Sequence, residues 1–249
     1  SDLSQQSPAV VDQRGVFRDQ ELGEEDHIAF ARQLGPIVVN NYFPENGQHP
    51  EIAEVRKSET QQVNIGGGWH TDHSYDAVPA MGSVLVAREL PPSGGDTLFA
   101  SMGAAWDSLS PGLQKTLEGL RAWHSADHIY GPQGFLSNSD QGADLKGRDL
   151  KTGVFHPVCI RHPDTGRKLL YVNHSYTYCF EGITEAESRP LLNYLLDHGH
   201  RPEFTCRFRW ETGSIAFWDN RVCKHLAVHD SHQHRRLMRR IQISGTRPV

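Results

Sequence analysis

Hydrophobic patterning begins weakly, because Gly15-Val16-Phe17-Arg18-Asp19-Gln20 sets two apolar residues before polar ones and reads as a short strand end or turn. Between Glu24 and Leu34 the apolar residues Ile28, Ala29, Ala31 and Leu34 recur at helical spacing, and Gly35-Pro36 stops the run, so one amphipathic helix is expected. Met81 to Leu90 is rich in small and β-branched residues and ends at Pro91-Pro92. Asp96 to Ala100 follows after Gly94-Gly95, and the two segments read as neighbouring strands. Trp106 to Leu120 reads as a helical region broken at Ser110-Pro111-Gly112, where Ser110 caps a helix carrying Pro111 at its first position.

The polar stretch around 133–152 offers few apolar anchors and is expected to be a mobile loop. Strand signals return at Val154 to Arg161 and Leu169 to Asn173, joined by His162-Pro163-Asp164-Thr165-Gly166, which has hairpin-turn chemistry. Thr184 followed by Glu187 is a capping-box pattern opening a helix with Leu191, Leu192, Leu195 and Leu196. Farther on, Phe204, Cys206, Phe208 and Trp210 alternate with Arg207 and Arg209, and Ile215 to Trp218 and Leu237 to Ser244 complete the strands. Many short strands with helices outside the strand-rich blocks predict a mainly β fold with flanking helices, a jelly-roll or barrel rather than a parallel βαβ sheet.

Length and composition narrow the class. The 249 residues fit one domain, 1–249, and no Ser/Gly/Pro-rich linker divides them. A net charge of −5 provides no field to gather nucleic acid or an anionic membrane, so a small-molecule partner is the expectation. Cys159, Cys179, Cys206 and Cys223 are widely spaced, without a C-x-x-C pair, and read as reduced, buried thiols. Apolar runs fall far short of the roughly 18 to 20 residues that span a bilayer, and the polar start is unlike a signal, so the expectation is a soluble, cytoplasmic protein.

Fifteen histidines change the picture, because neutral imidazole is a metal ligand. His70-Thr71-Asp72 places an imidazole and a carboxylate two residues apart, on one face of an extended backbone. Alone, that tripeptide is weak evidence. His225, after Ile215 to Trp218 and the turn Asp219-Asn220, is the candidate third ligand. Two histidines and one carboxylate form the facial set that leaves positions on iron(II) open. Arg236 and Arg240 lie beyond it and share one face of a strand. A guanidinium fork there would clamp a carboxylate, provided that face turns inward. Arg235 and Arg239 are read as a solvated edge.

These residues resemble the taurine dioxygenase and 2,4-dichlorophenoxyacetate dioxygenase family of 2-oxoglutarate oxygenases. The resemblance covers nearly the whole chain, through Val16 to Gln20, Trp69-His70-Thr71-Asp72, Leu90 to Thr97, the turn near His162-Pro163, Trp218-Asp219-Asn220 and His225 to Arg240. It implies a double-stranded β-helix (jelly-roll) core. It also implies iron(II) on His70, Asp72 and His225, with O2 and 2-oxoglutarate as cosubstrates and Thr97 and Arg236 holding the latter. Arg240 then faces the acidic group of a small substrate carrying a carboxylate or sulfonate. The carboxylate at Asp72 favours hydroxylation over halogenation. Where taurine enzymes place a histidine, a tyrosine and an asparagine, this chain has Asn40, Phe43 and Gly66, which implies a less polar pocket. The segment His124-Ser125-Ala126 is more similar to phenoxyalkanoate-type members. Family members commonly self-associate, so a homo-oligomer is an open expectation.

Other features keep two readings. Gly66-Gly67-Gly68 lacks phosphate-loop spacing and reads as a flexible turn at the site mouth. His225 and His229 would pair on zinc only if helical, and no helical stripe surrounds them. His73 either contacts substrate or faces outward. Trp218 is read as core packing ahead of substrate stacking. The cluster from Arg235 to Arg240 lacks the interleaved aromatics of a nucleic-acid surface. The rival functions are a non-catalytic jelly-roll metal- or ligand-binding protein, a zinc hydrolase, and a desaturating or cyclising oxygenase.

Overall fold

A computed structural model of the chain describes residues 14–39, 45–61, 65–136, 153–231 and 233–249. Its largest sheet has seven strands: β1 (Arg14–Phe17), β2 (Ile37–Val38), β3 (Glu45–Asn46), β4 (His49–Lys57), β5 (Ala80–Glu89), β13 (Ile215–Asp219) and β15 (Arg236–Ser244). The order is β1-β13-β5-β15-β4-β3, with β2 also on β15, and every pairing is antiparallel. A three-stranded sheet of β6 (Thr97–Ser101), β12 (Thr205–Phe208) and β14 (Cys223–Ala227) runs β12-β6-β14. Another joins β7 (Arg121–Ser125), β8 (Gly153–Pro157) and β11 (Thr177–Phe180), and β9 (Cys159–Arg161) pairs β10 (Lys168–Leu170).

Alternation along β5 explains its near-continuous apolar run. Leu85 and Ala87 point to a core shared with Phe99 of β6, Phe208 of β12 and Cys223 of β14, which joins the two sheets into a sandwich. Val84 and Val86 point the other way, against Ile28 and Ala31 of helix α1 (Glu24–Leu34). Both faces of β5 are therefore covered. The fold is the jelly-roll type of mainly β structure with flanking helices.

Helices α2 (Met102–Asp107) and α3 (Pro111–Leu117) are split where expected, with Ser110 Oγ accepting from Leu113 N and Pro111 in the first turn. After the one-turn helix α4 (Asp127–Tyr130), the longest helix, α5 (Glu185–His198), carries the full capping box of Thr184 and Glu187 and buries Leu192, Leu195 and Leu196. The hairpin at His162 to Gly166 is present, pairing Arg161 with Lys168.

Two expectations need correction, and a third falls mostly outside the described residues. β5 and β6 are successive but not paired. Pro91-Pro92 ends the first, and Gly94 and Gly95, both at positive φ, carry the chain over to the facing sheet. Of the four cysteines only Cys223 is buried, while the other three are half-buried, and none is bridged. In the expected loop, Phe135 N and Leu136 N donate to His128 O and Ile129 O, so its first residues are pinned to α4. Residues 137–152 lie outside the described residues.

Candidate active site

His225 faces the sandwich interior because it shares the parity of Cys223 and Ala227 on β14, opposite Phe99 of β6. His70 forms an isolated antiparallel bridge with it: His70 N donates to His225 O at 3.0 Å and His225 N to His70 O at 2.8 Å. Residues remote in the chain are thus brought backbone to backbone, with ring centroids 4.1 Å apart. Asp72 Oδ1 lies 3.5 Å from His70 Nε2. One ligand atom from each of His70, Asp72 and His225 falls within 4.8 Å of the others, and all three residues are buried.

The surroundings orient this set. His70 Nδ1 donates to Gly68 O at 2.8 Å, which leaves Nε2 as the ring's acceptor toward the centre. Ser83 Oγ donates to Asp72 Oδ2 at 2.9 Å, and Arg240 Nη1 donates to Asp72 Oδ1 at 3.2 Å. Burial by itself would raise the Asp72 carboxyl, but chiefly the Arg240 guanidinium beside it outweighs burial and holds Asp72 well below the usual carboxylate range. Burial keeps His225 well below the usual imidazole range and so neutral. An ionised carboxylate and a neutral imidazole are the forms that ligate a divalent metal.

The triple glycine is tied down rather than loose. Gly66 O accepts from Ala227 N at 2.9 Å, and a Cβ at Gly66, whose φ is +77°, would meet His70 Cε1 at 3.1 Å. Gly66 lines the cavity beside His70.

Arg236, Met238 and Arg240 alternate inward along β15, so the condition set for the arginine clamp is met. Arg236 is buried, its Nε has no partner among the described residues, and burial lowers its pKa to about 10, opposed by Asp96. It remains charged at neutral pH. Thr97 lines the same cavity, and its Oγ1 accepts from Trp210 Nε1 at 2.9 Å, which leaves the hydroxyl proton available to another acceptor. Around them Asp230 Oδ1 accepts from Gly95 N at 2.7 Å, and Arg207 donates to Asp96 at 2.6 Å and to Asp230 at 2.7 Å. His225 Nδ1 is likewise buried without a partner among the described residues, so the cavity holds polar capacity the protein itself does not use. The donor set fits iron(II), and the buried arginine with its neighbouring hydroxyl fits a dicarboxylic keto acid.

His73 lies on the cavity wall at a φ of +58° and pairs with Asp76 Oδ2 at 2.9 Å, so it faces inward. Trp218 is 1% exposed, packs 4.7 Å from the His225 ring and donates to Asn220, in keeping with a packing role. His225 sits in a strand and His229 beyond its end, so the helical zinc pair does not form. Arg235 pairs with Glu89 at 3.4 Å and Arg239 with Glu24, and with Arg236 and Arg240 turned inward no basic surface remains there. Asn40 and Phe43 lie outside the described residues. Sequence reasoning missed Ser83, Trp210 and the tyrosines Tyr75, Tyr130 and Tyr176, which also line the cavity or support it. Ser83 left a signal as a lone hydroxyl inside an apolar strand, and Trp210 as part of the apolar alternation from Phe204.

Comparison with known proteins agrees with this geometry. The family model for the taurine catabolism dioxygenase TauD, TfdA family matches residues 5–242, and the chain belongs to that family. It is 36% identical over 231 residues to the alpha-ketoglutarate-dependent dioxygenase cnsM of Penicillium expansum, covering 87% of this chain and 63% of that protein. Over 226 residues it is 35% identical to the alpha-ketoglutarate-dependent 2,4-dichlorophenoxyacetate dioxygenase of Cupriavidus pinatubonensis, covering 84% of this chain and 77% of that enzyme. A crystal structure of a taurine dioxygenase from Burkholderia xenovorans superposes with a TM-score of 0.78 at 34% identity, over 95% of this chain and 78% of that one. The chain thus spans just under two thirds of the Penicillium relative and more of the other two.

Proposed function

We propose that this chain is a single-domain iron(II)- and 2-oxoglutarate-dependent dioxygenase that hydroxylates a C–H bond of a small anionic substrate. The observation that carries the reading is one cavity bringing together the buried set His70, Asp72 and His225 with two inward arginines, Arg236 and Arg240. His70, Asp72 and His225 would hold the metal, while Arg236 and Thr97 would hold the far carboxylate of 2-oxoglutarate. When bound, iron with 2-oxoglutarate and O2 supplies an oxidative decarboxylation that releases succinate and CO2 and hydroxylates the substrate.

The protein's own part is positional. Ser83 fixes one oxygen of Asp72, and Gly68 fixes the ring of His70. Arg240, beside Asp72, places the substrate's anionic group next to the metal ligands. Val55, Leu85 and Met238 give that chamber an apolar wall, which strengthens each charged contact inside it. His73 and Gly66 are assigned to the substrate side. Relatives named for 2,4-dichlorophenoxyacetate, sulfate esters and sulfonates support an acid as substrate. Four unbridged cysteines suit a reducing, cytoplasmic setting, and among the described residues no helix is long and apolar enough to cross a membrane.

A screen of carboxylates, sulfonates and sulfate esters for coupled succinate release tests the function. A substrate-dependent signal that disappears in Asp72→Ala is expected. Full activity in that variant would reject the ligand assignment.

A further inference from the structure

Arg236 packs against the turn that leads into β6. A Cβ at Gly95 would meet Arg236 Cδ at 3.3 Å and Nε at 3.4 Å, and Gly95 has a φ of +72°, so glycine alone suits this close seat. The next residue is Asp96, a buried carboxylate whose charge acts on Arg236. A carboxylate near an arginine ordinarily closes onto it, because the guanidinium fork matches two carboxylate oxygens. Here it does not. Arg236 Nε has no partner among the described residues, and Asp96 Oδ2 accepts from Arg207 Nε at 2.6 Å instead.

Arg207 works from outside the cavity. On β12 it stands opposite Leu98 of β6, whereas its neighbour Phe208, opposite Thr97, turns into the core. Its side chain is 47% exposed. From there Nη2 donates to Asp230 Oδ2 at 2.7 Å, and Asp230 Oδ1 accepts from Gly95 N at 2.7 Å. Val228 N donates to Asp96 O at 2.8 Å, which fixes the backbone of the same turn. A Cβ at Gly94 would lie 2.5 Å from Asp230 Oδ1, so the acid seats against bare backbone. One guanidinium therefore holds two acids, one beside Arg236 and one that pins the glycine turn. A half-exposed pairing of this kind contributes little to stability. What its geometry decides is which cation Asp96 serves.

We infer that Arg207 is a positioning residue for the cosubstrate site: by engaging Asp96 it keeps that carboxylate off Arg236 and leaves the Arg236 fork to the far carboxylate of 2-oxoglutarate. The inference rests on the proposed oxygenase function and adds to it a residue outside the cavity that sets the affinity for the keto acid. With Arg207 gone, Asp96 becomes an internal competitor for the same fork.

The test is calorimetric titration of 2-oxoglutarate into the full chain loaded with manganese(II) in place of iron(II), so that no turnover intervenes. Arg207→Met should raise the Kd by about tenfold or more, the scale of one partly buried charge contact. Adding Asp96→Asn to that variant removes the competing charge and should restore the affinity of the parent protein, which a loss of packing at position 207 would not allow. An unchanged Kd in Arg207→Met, or a raised Kd that Asp96→Asn does not restore, overturns the inference. A crystal structure of Arg207→Met decides the point without any cosubstrate: the Asp96 carboxylate should be paired with Arg236, and an Asp96 that keeps away from Arg236 overturns the inference. If the parent protein binds no 2-oxoglutarate, the oxygenase reading fails, and that crystal structure still decides the role of Arg207.

Discussion

Arg240 donates to Asp72, Nη1 to Oδ1 at 3.2 Å, so the residue assigned to the substrate's charge also touches a residue assigned to the metal. The contact is buried, with both side chains under 10% exposed. A guanidinium in that place offsets the Asp72 charge and, on the proposed function, would draw the anionic group of a substrate toward it. Arg240→Ala should weaken anionic substrates by about thirtyfold or more, in the range measured for losing one partner of a buried charge pair. Neutral analogues should lose much less. Steady-state kinetics on matched acid and amide substrates check this, and equal losses in both series would show that Arg240 reads no charge.

Ser83 sits opposite Gln242 on the β5–β15 ladder and donates to the other oxygen of Asp72 at 2.9 Å. It touches no atom assigned to substrate, so its effect should pass through the carboxylate's orientation. Ser83→Ala should lower iron(II) affinity by about tenfold or more, as loss of a hydrogen bond behind a ligand typically does. Anaerobic metal titration measures it, and an unchanged affinity would leave Ser83 as a packing residue only.

Arg236 is a buried cation on the cavity wall that Thr97 also lines, with the charge of Asp96 acting on it. Arg236→Ala should raise the apparent KM for 2-oxoglutarate by about thirtyfold or more. The KM for the primary substrate should change little. Unchanged saturation by 2-oxoglutarate would remove Arg236 from the clamp.

His27, on the inner face of α1, is fully buried, with Nε2 3.2 Å from Val84 O. Burial, with Arg88 and Arg239 nearby, lowers its pKa from 6.5 to about 4. Because the folded state resists the proton that the unfolded chain accepts, stability is whole above pH 6.5 and is lost as pH falls toward 4. The loss from this group is about 3 kcal/mol. Denaturant unfolding at pH 7 and pH 4.5 should show a smaller acid loss in His27→Gln than in the parent protein. An identical loss would place the acid sensitivity elsewhere.

Local chemistry was legible where one short segment decides the outcome. The helix at Glu24–Leu34, the cap at Ser110 and the capping box at Thr184 each follow from a few adjacent residues, and all are present. The His70-Thr71-Asp72 set and the inward face shared by Arg236 and Arg240 were readable for the same reason. Partner choice between strands was not. β5 and β6 follow one another in sequence yet lie in different sheets, because sheet pairing depends on contacts far along the chain. β4 and β14 alternate too irregularly to announce themselves, although β14 carries His225. Tyr75, Tyr130 and Tyr176 meet only in three dimensions, and no spacing rule could have joined them.

The most direct measurement is the absorption spectrum of the anaerobic protein as 2-oxoglutarate is added after iron(II). A weak visible metal-to-ligand charge-transfer band should develop in the parent protein and be absent from His225→Ala. A parent protein that stays colourless, or a variant that develops the same band, would contradict the claim that His70, Asp72 and His225 hold one ferrous ion beside a bound keto acid.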